Sequence, residues 1–175
     1  MNKWIMLVAA LFLLSACNDK DEANTNEQQV ASNESTVGFE ITGDEVVEAP
    51  DIPKEEQAAI VAAFNEYIDS FNSKDIDRYV ETLSKHPQGF NVEEDVEAAK
   101  QAFEQYDIAR SATDVTIVKY DEEEAQVFAN LDIHMTEIET NAELASSGRQ
   151  VTVFVKEDND WKVTSVYYIG DESAQ

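Results

Sequence analysis

The chain has little of what commonly braces small exported folds, and little of what grips nucleic acid. It contains one cysteine, three prolines, five glycines and two histidines in 175 residues. One cysteine cannot close an internal disulfide, so whatever folds must be held by core packing. Only His86 and His134 are present, in unrelated contexts, which leaves a zinc site or a thiol enzyme without ligands. No glycine-rich phosphate loop occurs, and no cofactor is expected. Positive charge is scarce: 12 Lys and Arg stand against 37 Asp and Glu, a formal charge of −25. Such a surface repels phosphate backbones and argues against nucleic-acid binding. The acidic residues are scattered rather than set at metal-ligand spacing, which reads as solvated surface more than as a cation site. Long hydrophobic runs are missing as well. The most apolar stretch, Trp4 to Leu14, has about half the roughly 20 residues that a membrane-crossing helix needs.

That short stretch follows Lys3 and ends in Ser15, Ala16 and Cys17, the three-part pattern of a signal sequence. Leu14, Ser15, Ala16 and Cys17 resemble the lipobox of bacterial lipoproteins. The resemblance implies a diacylglyceryl group on the Cys17 thiol and a mature N-terminus at Cys17 after removal of residues 1–16. Acyl chains contribute about 0.8 kcal/mol per buried methylene, so two or more would anchor the protein to a membrane on its extracytoplasmic side. An ordinary secretory signal would instead leave an unpaired thiol in an oxidising compartment. Residues 17–53 read as a flexible acidic tether, since Asn18 to Thr36 offers only Val30 as a sizeable aliphatic. Within it "VGFEI" alternates like a strand and "VVEAPDIP" prepares a helix, so part of this segment is expected to pack on the domain.

From residue 54 to 171 a single domain is expected. Ile60, Ala63, Phe64, Tyr67, Ile68 and Phe71 recur every three or four residues, the stripe of an amphipathic helix. After "NSKD", the residues Ile76, Tyr79, Val80 and Leu83 repeat that spacing until "HPQG" stops it. Asn91 followed by Glu94 suggests a capped third helix carrying Val96, Ala99, Phe103 and Tyr106. Glu93, Glu94 and Asp95 in its first turn read as favourable partners of the helix dipole.

Beyond Asp114 the period becomes two. Four strands are expected, around Val115 and Ile117, from Val127 to Met135, from Val151 to Val155 and from Trp161 to Ile169. Turns are placed at Asp121–Glu124, around Ser147 and Gly148, and at Glu157–Asp160. Helices first and strands afterwards define an α+β domain, with three N-terminal helices on one face of an antiparallel sheet.

Two stretches, "YIDSFNSKDIDRYVETL" (Tyr67 to Leu83) and "DNDWKVTSV" (Asp158 to Val166), resemble the nuclear transport factor 2-like superfamily, including its ketosteroid isomerase and SnoaL-like cyclase branches. The resemblance implies a strongly curved sheet wrapped around the helices as a cone, with a pocket at its open end and Trp161 as a buried aromatic. By position Tyr67 matches the isomerase tyrosine that serves the oxyanion, whereas the position of the base falls on Asn91, an amide. Asp132 and His134 lie two apart on one strand face, opposite Val127, Leu131 and Ile133, together with Gln126, Phe128, Asn130 and Thr136. An Asp–His pair near a tyrosine could do acid–base work; it could equally line the wet side of the sheet.

The candidate pocket is therefore Tyr67, Tyr79, Phe128, Asp132 and His134. The expected function is a membrane-anchored binding or accessory domain for a small apolar ligand or a protein partner. An isomerase- or cyclase-like enzyme and a module that forms homodimers through its sheet face are the competing readings.

Overall fold

The computed structural model describes residues 46–171. The expected signal peptide, Cys17 and the tether up to residue 45 lie outside the described residues. Three helices come first: α1 (Lys54–Asn72), α2 (Ile76–Thr82) and α3 (Val92–Gln105). Four strands follow, β1 (Tyr106–Tyr120), β2 (Glu124–Glu137), β3 (Glu143–Glu157) and β4 (Asp160–Gly170). They pair antiparallel in the order β1-β2-β3-β4, so each hairpin simply adds the next strand.

The helix ends follow from local chemistry. Pro53 leads into α1 in an extended conformation, and Glu55 and Glu56 place negative charge beside its exposed N–H groups. Lys74, at φ 56°, turns the chain out of α1. Asp75 then caps α2 by accepting from the Arg78 N–H, and Asn91 caps α3 by accepting from the Glu94 N–H. The third helix ends at Gln105, and Tyr106 is already extended.

One sheet face receives the helices. Ile60, Phe64, Ile68 and Phe71 of α1 pack with Ile117, Val127, Ala129, Leu131, Phe154, Trp161 and Val163 in a single core. Trp161 is buried in it, and its indole N–H donates to Glu56 Oε2 at 3.0 Å. Glu56 also accepts from Lys156 Nζ at 2.5 Å, so one carboxylate joins the start of α1 to both β3 and β4. Register shifts interrupt the pairing in β1, between Thr113 and Thr116 and again before Lys119, and in β4 opposite Val153 and Phe154. Such irregularities bend and twist a sheet, and here they curve it around the helices.

The last residues of the expected tether are seated on the domain. Ala49 donates its N–H to the Ile117 carbonyl at 2.8 Å, Glu48 accepts from the Gln57 amide, and Ile52 packs against the core.

Two expectations need correction. The strands are longer than the alternating apolar runs: β1 begins at Tyr106, eight residues before Asp114. Its inward-facing set includes Arg110, which breaks the apolar pattern. The turn expected at Ser147 and Gly148 is instead the middle of β3, and the reversal lies at 138–142, where Asn141 adopts φ 57°. Gly148 serves close packing rather than a turn. A Cβ there would lie 2.4 Å from the Ile169 carbonyl oxygen and 2.8 Å from the Tyr168 ring.

Candidate functional site

Where the C-terminal end of α1, both following helices and the start of β1 meet, the helices do not fill the curved sheet. A cavity of about 380 Å³ remains, lined by Tyr67, Phe71, Tyr79, Leu83, Phe90, Asp95, Ala98, Ala99, Ala102, Arg110, Val163 and Val166, with Gly89 at its edge. Phe71 is the hub of its aromatic wall. The Tyr79 ring stands edge-on to it at 5.4 Å, Phe103 at 4.8 Å, and Tyr67 lies 5.7 Å from Tyr79.

Four polar groups reach this otherwise apolar space. Tyr79 donates its hydroxyl to Asp95 Oδ2 at 2.8 Å, which ties α2 to the first turn of α3. Arg110 enters from β1 with its guanidinium carbon 3.5 Å above the centre of the Phe71 ring, a cation–π stack. Its backbone is clamped by Asn72 at the end of α1. The Asn72 amide donates to the Arg110 carbonyl and accepts from the Arg110 N–H, both at 2.8 Å. The Arg110 Nε is buried with no hydrogen-bond partner among the described residues. Tyr67 completes the group, 5 % exposed.

Burial pushes the Tyr67 hydroxyl well above its ordinary value, against a smaller opposing pull from the Arg110 charge. Burial raises Tyr79 as well, reinforced by Tyr67 and by the negative charge of Asp95. Both phenols therefore stay protonated through the neutral range, and Tyr79 donates to Asp95. The site offers a cation, the Tyr67 hydroxyl and a carboxylate already engaged by Tyr79, around an apolar chamber.

The structure divides the residues singled out from the sequence. Tyr67 and Tyr79 line the cavity. Asp132, His134 and Phe128 do not: they lie on the other face of β2, opposite Val127, Leu131 and Ile133, which face the helices. Asp132 and His134 are exposed there, paired across the ladder with Ser111 and Ala109 of β1 and with Ser147 and Ala145 of β3. The acid–base set of Tyr67, Asp132 and His134 is thus not assembled, because strand alternation separates it by the thickness of the sheet. Phe128 is buried on that outer side, at 3 % exposure.

Two polar residues of the cavity, Asp95 and Arg110, are absent from the pocket expected from the sequence. Asp95 was accounted for by the helix dipole, although it also sits one helical turn from Ala99. Arg110 had a signal that went unused, as a lone cation between Ile108 and Ala112 in a chain short of cations. Among the described residues no cluster of three or more His, Cys, Asp or Glu side chains is placed to hold a metal ion. No helix among them is long and apolar enough to cross a membrane.

A family model for the C-terminal domain of the anti-sigma-I factor RsgI9 matches residues 62–169, which run from within α1 to within β4. The chain belongs to this family. Solved structures show the fold of this domain. A nuclear transport factor 2-like superfamily protein from Salmonella enterica superposes with a TM-score of 0.61 at 12% identity, covering 69% of this chain and 94% of that one. A ketosteroid isomerase-like protein from Erwinia carotovora gives 0.57 at 21% identity over 69% and 99%. A conserved protein from Planctomyces limnophilus gives 0.61 at 18% over 67% and 100%. The domain has the nuclear transport factor 2-like fold. A comparison with curated protein sequences finds no match.

Proposed function

We propose that this protein is a non-catalytic ligand-binding module, lipid-anchored through Cys17 on the extracytoplasmic side of a bacterial membrane and reporting its ligand to a signalling partner. The carrying observation is the cavity itself, in which Tyr67, Tyr79, Asp95 and Arg110 converge on an apolar chamber of ligand size. The family's anti-sigma-I name supports a bacterial, membrane-associated setting, and the Leu14–Cys17 pattern supports the anchor. The test is a thermal-shift screen of small molecules against residues 38–175, the unit that contains every described element. Ala102→Phe, which narrows the cavity, serves as the control. Compounds that stabilise the parent and not the variant are expected; a screen with no such compound overturns the reading.

The Tyr79–Asp95 hydrogen bond favours one second reading. A carboxylate and neutral phenols around an apolar chamber also suit proton transfer next to a developing oxyanion. In that case Asp95→Asn would abolish turnover of a bound compound while leaving its affinity intact.

A further inference from the structure

We propose that the cavity takes a carboxylate amphiphile, a monoanion with an unbranched or flat apolar body, and that Arg110 holds its carboxylate. This rests on the ligand-binding reading and names the class of ligand. Arg78, at the surface, is gripped by both oxygens of Glu66 at 2.9 and 2.8 Å. Arg110 has no carboxylate within 4.0 Å among the described residues, and its Nε is buried without an acceptor. Exposed Arg149 also has no carboxylate within 4.0 Å among the described residues, so what singles out Arg110 is its buried donor beside the cavity. Leaving a charged donor unsatisfied is unfavourable, and the deficit is removed when a ligand supplies the acceptor.

Geometry selects the acceptor. Phe71 occupies one face of the guanidinium, and Asn72 fixes the backbone from which it projects. All guanidinium donors lie in its plane, so a ligand must meet the fork edge-on. Nε together with one Nη forms the paired edge that a carboxylate matches with its two oxygens. The Tyr67 hydroxyl lies beside the Arg110 guanidinium on the same wall and interacts with it. The rest of the ligand is accommodated by Phe71, Phe90 and the small side chains Ala98, Ala99 and Ala102 of α3.

Two charges oppose an anion, and neither prevails. The −25 formal charge of the chain is spread over the whole sequence, and beyond about 8 Å it is largely screened at physiological ionic strength. Asp95 is nearer, but it already accepts from Tyr79 and belongs to the α3 wall. A cationic ligand would instead meet Arg110 directly, and a neutral alcohol offers a single acceptor to a two-pronged donor.

The test is calorimetric titration of residues 38–175 with octanoate, octanol and octylamine, each below its aggregation concentration. Octanoate should bind about tenfold more tightly than octanol, the effect of one charge-assisted pair, and octylamine more weakly than either. Arg110→Leu should erase the preference for octanoate while leaving octanol within about twofold. Arg110→Lys, which keeps the charge without the fork, should retain only part of the preference. The Arg110 Nε–H resonance should move on adding octanoate and not octanol; should the leucine variant fail to fold, this signal in the parent decides. Equal affinity for octanoate and octanol overturns the assignment to an anion and leaves the binding reading standing. An octanoate affinity indifferent to Arg110 overturns it as well. Absence of binding by all three probes overturns this proposal, and the compound screen alone then judges the broader one.

Discussion

The Tyr79 hydroxyl and Asp95 Oδ2, 2.8 Å apart, connect the short second helix to the first turn of the third across the cavity. Asp95 is half-buried, so the bond is charge-assisted but partly shared with solvent. Tyr79→Phe should lower stability by about 1.5 kcal/mol, measured as a fall in the urea midpoint with unchanged slope. A variant as stable as the parent would show that the bond merely replaces one to water.

The raised phenols set an alkaline limit. A phenol whose folded-state pKa exceeds its unfolded value contributes stability that is fully present below about pH 10 and is lost as the pH climbs past it. Tyr67 and Tyr79 both belong to this class. Stability should therefore decline above about pH 10, and two phenols should be missing from a phenolate absorbance titration until the chain unfolds. Tyr67→Phe should shift the decline to higher pH.

Acid works through a different residue. Hydrogen bonds from Lys156 and from the Trp161 indole hold the Glu56 carboxyl below its usual range. Its contribution is present above the unfolded value, about pH 4.3, and fades as the pH falls through the lower folded value. Glu56→Gln should reduce stability at neutral pH and flatten the fall on acidification, followed by far-ultraviolet circular dichroism.

Gly148 is a point of close approach between β3 and β4. Gly148→Ala sets a methyl against the Ile169 carbonyl oxygen, a backbone atom that cannot swing aside. The expected loss is about 1–3 kcal/mol, the range for overpacking, with local weakening of β3–β4 amide protection in hydrogen exchange. Protection unchanged at Ile169 would contradict it.

Asp132 and His134, by contrast, should be silent. Asp132→Asn with His134→Gln should change stability by no more than about 0.5 kcal/mol, as surface substitutions do, and leave any cavity ligand's affinity intact.

What could be read before the structure, and what could not, divides along physical lines. Periodicity located all three helices because each buries one stripe, as Ile60, Phe64 and Phe71 do. Caps were equally plain: the Asn91 side chain meets the Glu94 N–H as its spacing suggests. Strand lengths were not legible. The residues around Ser147 belong to β3 because the ladder with β2 continues there, and that pairing leaves no mark in side-chain polarity. The site was half legible. Tyr67 and Tyr79 lie on the helix stripes that periodicity reveals, whereas Asp132 and His134 were placed on the correct strand face but on the wrong side of the sheet for the cavity. Deciding that needed knowledge of which face the helices cover. Asp95 had one sufficient explanation already, and Arg110 depends on Asn72, 38 residues away in sequence.

The loop after the second helix has a consequence beyond the cavity rim. Ser84, Gln88 and Gly89 donate their N–H groups to the carbonyls of Val163 and Thr164, and Leu83 bridges Val163 in parallel. At the opposite margin Ala49 occupies the Ile117 carbonyl. Both borders of the sheet are thus partly spoken for by the chain itself. Unclaimed strand borders recruit other strands and seed polymers. If acyl anchors hold many copies side by side on a bilayer, these short intramolecular plugs let the molecules crowd without zipping into one another.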